Sequence, residues 1–509
     1  MSTDTDAAAE SADAYDALVE KVTRINDVES AGGVLSWDQQ VTMPEGGTPA
    51  RSRQLSTLSA LSHELLVEDE TAELVAAAEA ADLTDEQAAA VREVRRKHER
   101  AAAVPTDLVE EISEASTEAL GAWEEAKADS DFDVFAPHLE RLVELKREYA
   151  EQIDPDADPY AVLFADYEPC LPLSRAEDVL SDLKETLVAL IDAVRESDAD
   201  VTTDAFSRHA PFDTDDQEAL SRDLLGALGY DWDRGRLDTS SHPFTAGNQF
   251  DTRVTTRFDP EDPLGALTAT IHEYGHAQYN LGLPREEYGT PLGEPRDLSV
   301  HESQSRLWEN HVGRSAAFWR GHLDAVRERF PALEGVSARE AYESANQVYE
   351  DNLVRVEADE LTYHLHVVVR FEIERALVAG DLDVEDVPAV WNDKYEEYLG
   401  VRPETDAEGC LQDIHWSHGN FGYFPTYSLG SVMATQLFAA AEDDLGDLDD
   451  RIEAGEFADL LGWLRENVHR HGKRYETDDL LEAATGESFT ADYFLDYVEE
   501  KYGALYDLD

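Results

Sequence analysis

Residues 262–284 read DPLGALTATIHEYGHAQYNLGLP, a stretch that carries both a helix with its boundary signals and a metal-binding pattern. Asp262 before Pro263 is typical of an N-cap followed by proline in the first helical turn. The closing Gly-Leu-Pro is typical of a helix end. The stretch therefore predicts one helix of about five turns over residues 263–281.

The pattern H-E-x-x-H lies inside this predicted helix, at residues 272–276. Side chains four positions apart share one face of a helix, so the imidazoles of His272 and His276 can reach one ion. Glu273 is one step further round the helix, close enough to hold a water molecule that the ion activates. The pattern predicts a catalytic zinc site with Glu273 as general base.

A catalytic zinc needs a third protein ligand and one open position for water. A third histidine of the longer pattern is excluded, because Tyr279 and Gly282 occupy the diagnostic positions. The candidates are the carboxylates downstream: Glu286, Glu287, Glu294, Asp297, Glu302 and Glu309. The first three lie in a loop rich in proline and glycine, a poor place to fix a ligand. Glu302 and Glu309 lie on the next predicted helix, and spacing alone does not choose between them.

Helical periodicity dominates the rest of the chain, and strand signals are confined to residues 234–258, where we expect a small sheet of two or three strands. The other helices are predicted over residues 14–151 as a series, 175–196, 215–228 ending at Gly229, and 298 to the C-terminus with an interruption at about 403–425. The fold is thus predicted to be mainly α, with one catalytic unit over residues 1–509 and a flexible start at residues 1–12.

The charge balance is unusual, with 41 Lys+Arg against 112 Asp+Glu and a formal net charge of -71. Such a surface repels phosphate backbones and anionic membranes, so neither nucleic acid nor a membrane is expected as a partner. The acids are spread along the whole chain, and only eight of the 41 cations are lysine. Dense carboxylates whose repulsion is screened by salt indicate a halophilic source.

The two cysteines, Cys170 and Cys410, are far apart in sequence and have no metal-ligand spacing. We expect both to be buried thiols in a reducing compartment. The acidic N-terminus lacks the basic start and apolar run of a signal peptide, and no apolar stretch is long enough to span a bilayer. These features predict a cytoplasmic protein.

A second motif, His301-Glu302-Ser303-Gln304, begins 25 residues after His276. With H-E-x-x-H it resembles the thermostable carboxypeptidase family of metallocarboxypeptidases, typified by carboxypeptidase Taq. Further matches to the family follow in order and register: Trp37-Asp38 with Met43-Pro44, His242-Pro243-Phe244, Asp251-Thr252-Arg253-Val254-Thr255, Val354-Arg355-Val356-Glu357-Ala358-Asp359 and Gly409-Cys410-Leu411-Gln412-Asp413-Ile414-His415-Trp416. The resemblance covers about residues 13–505.

The resemblance implies that Glu302 is the third ligand, and substitution of Glu309 is then expected to be mild. It also implies two helical lobes around a deep groove, with one zinc ion per chain at the groove floor and the small sheet along one wall. Co²⁺ in place of zinc and a homodimeric assembly are further implications of the family.

Two arginines are candidate substrate-binding residues. Arg253 lies in the predicted strand region beside Asp251, where it forms either a structural ion pair or part of a strand that pairs with the substrate backbone. Arg355 precedes Asp359 by four residues, which on a helix is the spacing of a surface ion pair. Its family position favours instead a bidentate contact with the terminal carboxylate of a peptide.

Two histidines and two tyrosines complete the predicted site. His242 and His415 are each interpreted as a donor to the developing oxyanion or as a residue that orients a ligand. The stretch GNFGYFPTYSLG, residues 419–430, is expected to be an aromatic loop in which Tyr423 and Tyr427 either contact the substrate and the oxyanion or pack in the core.

The sequence thus predicts a metallocarboxypeptidase that releases single C-terminal amino acids from peptides with a free C-terminus, with Glu273 as general base and then general acid. An oligoendopeptidase or a dipeptidyl carboxypeptidase of related helical fold has the same ligands and differs at the end of the groove. A catalytically silent metal-binding scaffold is the alternative outside enzymes.

Overall fold

The computed structural model describes residues 3–349 and 353–508, with side chains from residue 14 onward. The first helix begins at Thr3. The expected flexibility of residues 1–12 stays a prediction, because residues 1–2 and the side chains of residues 3–13 lie outside the described part.

The described chain is mainly helical, which confirms the predicted fold class. Its α-helices are α1 (Thr3–Val41), α2 (Thr48–Val67), α3 (Asp69–Glu79), α4 (Asp85–Ala103), α5 (Thr106–Asp129), α6 (Phe132–Ile153), α7 (Pro159–Phe164), α8 (Leu173–Glu196), α9 (Thr214–Leu228), α10 (Pro263–Gly282), α11 (Leu298–Arg306), α12 (Ala316–Arg329), α13 (Ala338–Ala345), α14 (Thr362–Ala379), α15 (Val387–Leu399), α16 (Pro425–Leu445), α17 (Leu448–Ala454), α18 (Ala458–Asn467), α19 (Thr477–Thr485) and α20 (Asp492–Leu505). A wider π-helical turn, Leu307–Gly313, directly continues α11.

The boundary signals of α10 act as the sequence predicts. The Asp262 side chain accepts a hydrogen bond from the backbone N–H of Gly265 at 2.8 Å, and Pro263 occupies the first helical position. This bond satisfies a backbone donor that has no partner inside the helix. Gly229 ends α9 with a φ of +96°, a left-handed conformation that glycine adopts without steric cost.

The predicted sheet has three short strands, β1 (Gly235–Thr239), β2 (Thr245–Gly247) and β3 (Thr252–Thr256). The strand order is β1-β3-β2. β3 pairs in parallel with β1, in the register Leu237 opposite Val254, and antiparallel with β2, in the register Ala246 opposite Arg253. The central strand β3 is buried except at Arg253, and the sheet lies against α10.

One large apolar core connects α5 to the C-terminal helix and includes residues from Ala119 to Tyr506. α10 runs through this core with Ile271 and Tyr274 fully buried. The helices α1 to α4 have smaller apolar clusters of their own. Across the boundary, the buried carboxylate of Glu93 on α4 pairs with Arg296, 2.9 Å away and fully buried. The single catalytic unit over the whole chain stays a prediction.

The interruption predicted at about residues 403–425 is present, because α15 ends at Leu399 and α16 begins at Pro425. Two local predictions are wrong. Tyr427 lies on α16 and not in a loop, since Pro425 begins that helix. Arg355 lies in a three-residue 3-10 turn and not on a longer helix. Within the described residues, no helix combines the length and the apolar character needed to cross a bilayer.

Candidate metal centre

Three potential metal ligands lie together where α10 and α11 meet. Nε2 of His276 is 3.5 Å, and Nε2 of His272 is 3.9 Å, from Oε2 of Glu302. The three donor atoms of this set all lie within 4.8 Å of one another. The structure therefore brings the two histidines of the H-E-x-x-H pattern together with the carboxylate that the family resemblance implies.

The other nitrogen of each imidazole has its own partner. Nδ1 of His272 lies 2.9 Å from Oε2 of Glu309, and Nδ1 of His276 lies 3.0 Å from the backbone carbonyl oxygen of His301. Both oxygens are acceptors, so each Nδ1 carries the proton and each Nε2 keeps its lone pair for a metal. This contact argues against the expectation that substitution of Glu309 is mild, because Glu309 fixes the orientation and tautomer of a candidate ligand.

Glu302 is fixed from two sides. Nε of Arg306 donates to its Oε1 at 2.7 Å, which leaves Oε2 directed at the histidines. Gly430 on α16 lies against it, because a Cβ at that position would be 2.5 Å from Cβ and Cγ of Glu302. Burial raises the pKa of Glu302, but Arg306 and the two histidines outweigh it and hold the pKa well below its usual range. The carboxylate is thus ionised, as a metal ligand must be.

This donor set fits a divalent metal such as zinc. Two neutral imidazole nitrogens and one carboxylate are the protein ligands of a common class of catalytic zinc site, which keeps a further position open. The same nitrogen and oxygen donors also suit cobalt. Both histidine side chains remain partly exposed, at 18% and 16%, so the centre is open to solvent on one side.

Glu273 has a partner that the sequence analysis missed. The hydroxyl of Thr245, on β2, donates to Oε2 of Glu273 at 2.7 Å. Because Glu273 is buried, its carboxylate has little room to move, and the hydrogen bond from Thr245 fixes its orientation further. The small sheet therefore helps to position the predicted general base, and the proximity of β2 to α10 was not readable from sequence spacing.

Arg355 is buried and forms a bidentate contact with Asp413. Its Nε lies 3.0 Å from Oδ2, and its Nη2 2.9 Å from Oδ1, of that carboxylate. Arg370, fully buried on α14, donates to the same Asp413 from Nε at 2.7 Å. Burial raises the pKa of Asp413, but the two arginines outweigh it and hold the pKa far below its usual range.

The alternative of an ion pair between Arg355 and Asp359 is wrong. Asp359 instead accepts hydrogen bonds from the backbone N–H groups of Leu361 and Thr362, at the start of α14. The sequence marks Asp413 only as part of a family motif, so its role as the partner of Arg355 is a finding of the tertiary structure.

Arg306 and Tyr363 connect Arg355 to the candidate metal ligands. The guanidinium of Arg306 lies over the Tyr363 ring, 4.7 Å from its centroid, and Nη1 of Arg355 donates to the Tyr363 hydroxyl at 3.0 Å. Because Arg306 also donates to Glu302, a continuous set of contacts joins the predicted ligand to the predicted substrate-binding arginine. The four-residue spacing from Glu302 to Arg306 is a signal that the sequence analysis did not use.

The predicted aromatic residues meet beside Arg355. The hydroxyls of Tyr423 and Tyr427 are 3.4 Å apart, and the Arg355 guanidinium lies 5.2 Å from the centroid of the Tyr427 ring. His415 stacks on Tyr423, with ring centroids 5.4 Å apart. Burial lowers the pKa of His415 to about 4, with the Asp413 charge opposing that shift and Arg355 favouring it. His415 is therefore neutral near pH 7 and can donate a hydrogen bond through one ring nitrogen.

The remaining two candidates lie by the sheet. Arg253 pairs with Asp251, at 2.6 Å, and its guanidinium lies 4.3 Å from the centroid of the Trp37 ring on α1. The ion-pair interpretation of Arg253 is confirmed, and its contact with substrate stays a prediction. His242 is exposed in the loop between β1 and β2, three residues before Thr245.

These features define a metallopeptidase: a helix with two paired histidines, a carboxylate as the third candidate ligand, and Glu273 beside the first histidine. The family model for carboxypeptidase Taq (M32) metallopeptidases matches residues 17–502. The chain belongs to this M32 family, and its enzyme class is accordingly metallocarboxypeptidase.

Similarity to relatives extends over nearly the whole chain. It is 40% identical to thermostable carboxypeptidase 1 of Thermus thermophilus, over 97% of this chain and 99% of the relative. It is 37% identical to carboxypeptidase 1 of Bacillus subtilis, over 95% of this chain and 97% of the relative. The crystal structure of the M32 carboxypeptidase from Deinococcus radiodurans superposes with a TM-score of 0.94 at 39% identity, over 97% of this chain and 99% of that one.

Proposed function

We propose that this metallocarboxypeptidase hydrolyses the last peptide bond of peptides with a free C-terminus and releases one amino acid at a time. The observation that carries the proposal is that two buried guanidinium groups, of Arg355 and Arg370, share the single carboxylate of Asp413. Among these three groups one positive charge has no counter-charge. The terminal carboxylate of a substrate would supply the missing negative charge, whereas a neutral internal amide cannot supply it.

Arg355 has donors left for this contact. A guanidinium has five N–H donors, and Arg355 uses three of them, two on Asp413 and one on the Tyr363 hydroxyl. The remaining two are available to a carboxylate oxygen. Asp413 thus orients Arg355, and the bidentate contact with the terminal carboxylate that the sequence predicts would use the remaining N–H group on each terminal nitrogen, Nη1 and Nη2.

We assign His272, His276 and Glu302 as the ligands of one divalent metal ion per chain. When bound, the metal polarises the scissile carbonyl and lowers the pKa of water toward neutrality. Arg306 holds Glu302, and Glu309 and the His301 carbonyl hold the two rings, so that the three donor atoms face one point.

Glu273 then moves the proton. Its carboxylate accepts a proton from the attacking water as the water oxygen bonds to the carbonyl carbon, and it passes that proton to the nitrogen as the C–N bond breaks. Thr245 holds Oε2 of Glu273, so Oε1 is the oxygen that we assign to proton transfer. The products are a free amino acid and a peptide shortened by one residue.

Donors for the developing oxyanion come from the aromatic cluster. The Tyr427 and Tyr423 hydroxyls lie together beside Arg355, and we assign Tyr427 to the oxyanion and Tyr423 to the substrate backbone. His415, neutral and stacked on Tyr423, is a further donor. We assign His242, in the loop that precedes Thr245, as an oxyanion donor or a residue that orients a ligand, and Arg253 on the adjacent sheet as a substrate-binding residue.

We further propose the metal, the compartment, the source and the assembly of the protein. Zinc is the simplest ion for this donor set, with cobalt as the substitute. Both cysteines are free thiols, which favours a reducing cytoplasm; Cys410 is buried as expected, whereas Cys170 is only partly buried. The net charge of -71 supports a halophilic source. The homodimer and the two lobes around a groove rest on the family resemblance.

The test is a time course of peptide digestion followed by mass spectrometry, with each peptide supplied as a free acid and as its C-terminal amide. We expect loss of single residues from the C-terminus, with the amide cut at least about tenfold more slowly. A chelator should abolish both reactions, and Zn²⁺ or Co²⁺ should restore them.

Other outcomes identify the alternatives. Release of residue pairs indicates a dipeptidyl carboxypeptidase, and internal cuts in long peptides indicate an oligoendopeptidase. A metal-loaded protein with no peptidase activity would be the silent scaffold. Equal cleavage of acid and amide would exclude terminal-carboxylate recognition.

A further inference from the structure

Glu374 is a fully buried carboxylate outside the set of residues that the proposed reaction uses. It lies on α14 and accepts three hydrogen bonds, from Nε1 of Trp416 at 2.8 Å, from the backbone N–H of Gly422 at 3.0 Å and from the Tyr160 hydroxyl at 3.0 Å. All three partners are neutral donors. Burying a carboxylate in this way is costly, and burial raises the pKa of Glu374 to about 7.

Two of these donors belong to the segment that carries the aromatic site residues. Trp416 follows His415, and Gly422 precedes Tyr423. Glu374 therefore fixes both ends of the short stretch between two residues whose rings stack on each other. The third donor, Tyr160, comes from α7 and shares Oε2 of Glu374 with the Gly422 N–H, while Trp416 bonds Oε1.

The backbone at Gly422 is packed too closely to allow another position. Its φ is +88°, and a Cβ there would lie 2.7 Å from the backbone nitrogen of Phe164. Such a left-handed conformation against a neighbouring backbone requires glycine. The hydrogen bond to Glu374 holds this residue in place, and the direction of the Tyr423 side chain follows from it.

A second buried carboxylate holds the other side of Tyr423. Glu168 accepts from the Thr426 hydroxyl at 3.1 Å and from the Ser299 backbone N–H at 2.7 Å. Ser299 lies in the first turn of α11, the helix of Glu302, and Thr426 lies in the first turn of α16. The segment from Gly422 to Thr426 is thus fixed both to α14 and to the helix of the metal ligand.

We propose that Glu374 is a positioning residue for peptide hydrolysis: it holds Trp416 and Gly422 so that the Tyr423 hydroxyl keeps one place beside Tyr427. This inference rests on the proposed function, in which Tyr423 contacts the substrate. Glu374 itself touches no reacting atom, and it acts through the backbone of the segment that it binds.

The first variant is Glu374→Gln, which keeps the size of the side chain. Its NH₂ group replaces one carboxylate oxygen and cannot accept a hydrogen bond from the donors that face Glu374. Displacement of a site group by about 1 Å can lower a rate by about 100-fold. We expect kcat/KM for a free-acid peptide to fall about 10- to 100-fold, mainly in kcat, with the metal content unchanged.

Tyr160→Phe is the matched control, because it removes the one donor to Glu374 that lies outside the segment. It should lower the melting temperature as Glu374→Gln does, yet leave kcat/KM within about twofold of native. Trp416→Phe removes a donor of the segment and should lower kcat/KM as Glu374→Gln does. If Glu374→Gln does not fold, Trp416→Phe takes its place in every comparison.

The deciding measurement is the double variant of Glu374→Gln with Tyr423→Phe. If Glu374 acts through the Tyr423 hydroxyl, the double variant loses little more activity than Tyr423→Phe alone. Losses that multiply, with Tyr423→Phe itself impaired, would overturn this inference and leave the proposed function intact. Native kinetics for Tyr423→Phe would overturn the assigned role of Tyr423 and this inference with it, while sequential C-terminal release would still identify the carboxypeptidase.

Discussion

Oε2 of Glu309 lies 2.9 Å from Nδ1 of His272, which leaves Nε2 of that ring directed at the carboxylate of Glu302. Glu309 is itself held by Arg306 and by Arg314, whose Nη2 donates to it at 2.9 Å. The position of His272, the first candidate ligand, is therefore set by a carboxylate seven residues beyond Glu302, the third candidate ligand.

Substitution of Glu309 should weaken metal binding without abolishing it. Loss of a carboxylate that orients a ligating histidine typically costs 10- to 100-fold in metal affinity, so we expect about that loss for Glu309→Ala and a smaller one for Glu309→Gln. Competition with a chromophoric chelator measures it. Glu302→Ala, which removes a direct ligand, should lose metal and activity together. Native affinity in Glu309→Ala would show that the contact with His272 has no effect on the ligand.

Substitution of Glu273 should separate metal binding from catalysis. Glu273→Gln cannot accept a proton, so we expect the metal to stay bound while kcat falls by at least about 10²- to 10⁴-fold. Thr245→Val is the graded control, since it removes the hydroxyl that bonds both Oε2 and the backbone carbonyl oxygen of Glu273, and a fall in kcat of about tenfold is expected. Metal analysis and initial rates on the same samples check both. Near-native turnover of a metal-replete Glu273→Gln would remove Glu273 from the mechanism.

Substitution of Arg355 should reduce discrimination between peptide acids and amides. Arg355→Ala removes the N–H donors that we assign to the substrate carboxylate. Arg370 still pairs with Asp413 in this variant, so we expect the protein to fold. We expect kcat/KM for the free acid to fall about 10- to 150-fold, corresponding to about 1.5–3 kcal/mol for a charged hydrogen-bond partner, while the amide changes little. An acid-to-amide ratio unchanged in a folded Arg355→Ala variant would place carboxylate recognition elsewhere.

The fold should be more stable in concentrated salt. The 112 acidic residues repel one another over about 10 Å at 0.1 M salt but only about 3 Å at 1 M. The melting temperature and the activity should both rise between 0.1 M and molar KCl, and dilution should inactivate the protein. A neutral osmolyte at matched water activity is the control, because it does not screen charge. A melting temperature independent of KCl would refute the halophilic interpretation.

The sequence by itself determined the family and the helix that carries the metal motif, and it predicted Glu273 as the general base. Those features depend on local spacing: an N-cap and proline begin α10, a four-residue step puts two histidines on one face, and an alternating stretch forms the small sheet. Family motifs in register supplied Glu302, which spacing alone could not separate from Glu309. Local rules wrongly placed Arg355 on a helix, because a 3-10 turn has the same local pattern as a short stretch of helix. They wrongly placed Tyr427 in a loop, because a helix that begins at a proline after a glycine-rich segment resembles a loop.

Only the tertiary structure decided which groups meet across the chain. Thr245 reaches Glu273 from a strand, Asp413 binds Arg355 from a loop 58 positions later, and Glu374 binds Gly422 48 positions away. No period or motif encodes these contacts, because they depend on how helices pack in three dimensions. The role of Gly430 is also decided by the tertiary structure. Its missing side chain leaves room for Glu302 against α16, and this need appears only once α11 and α16 are in contact.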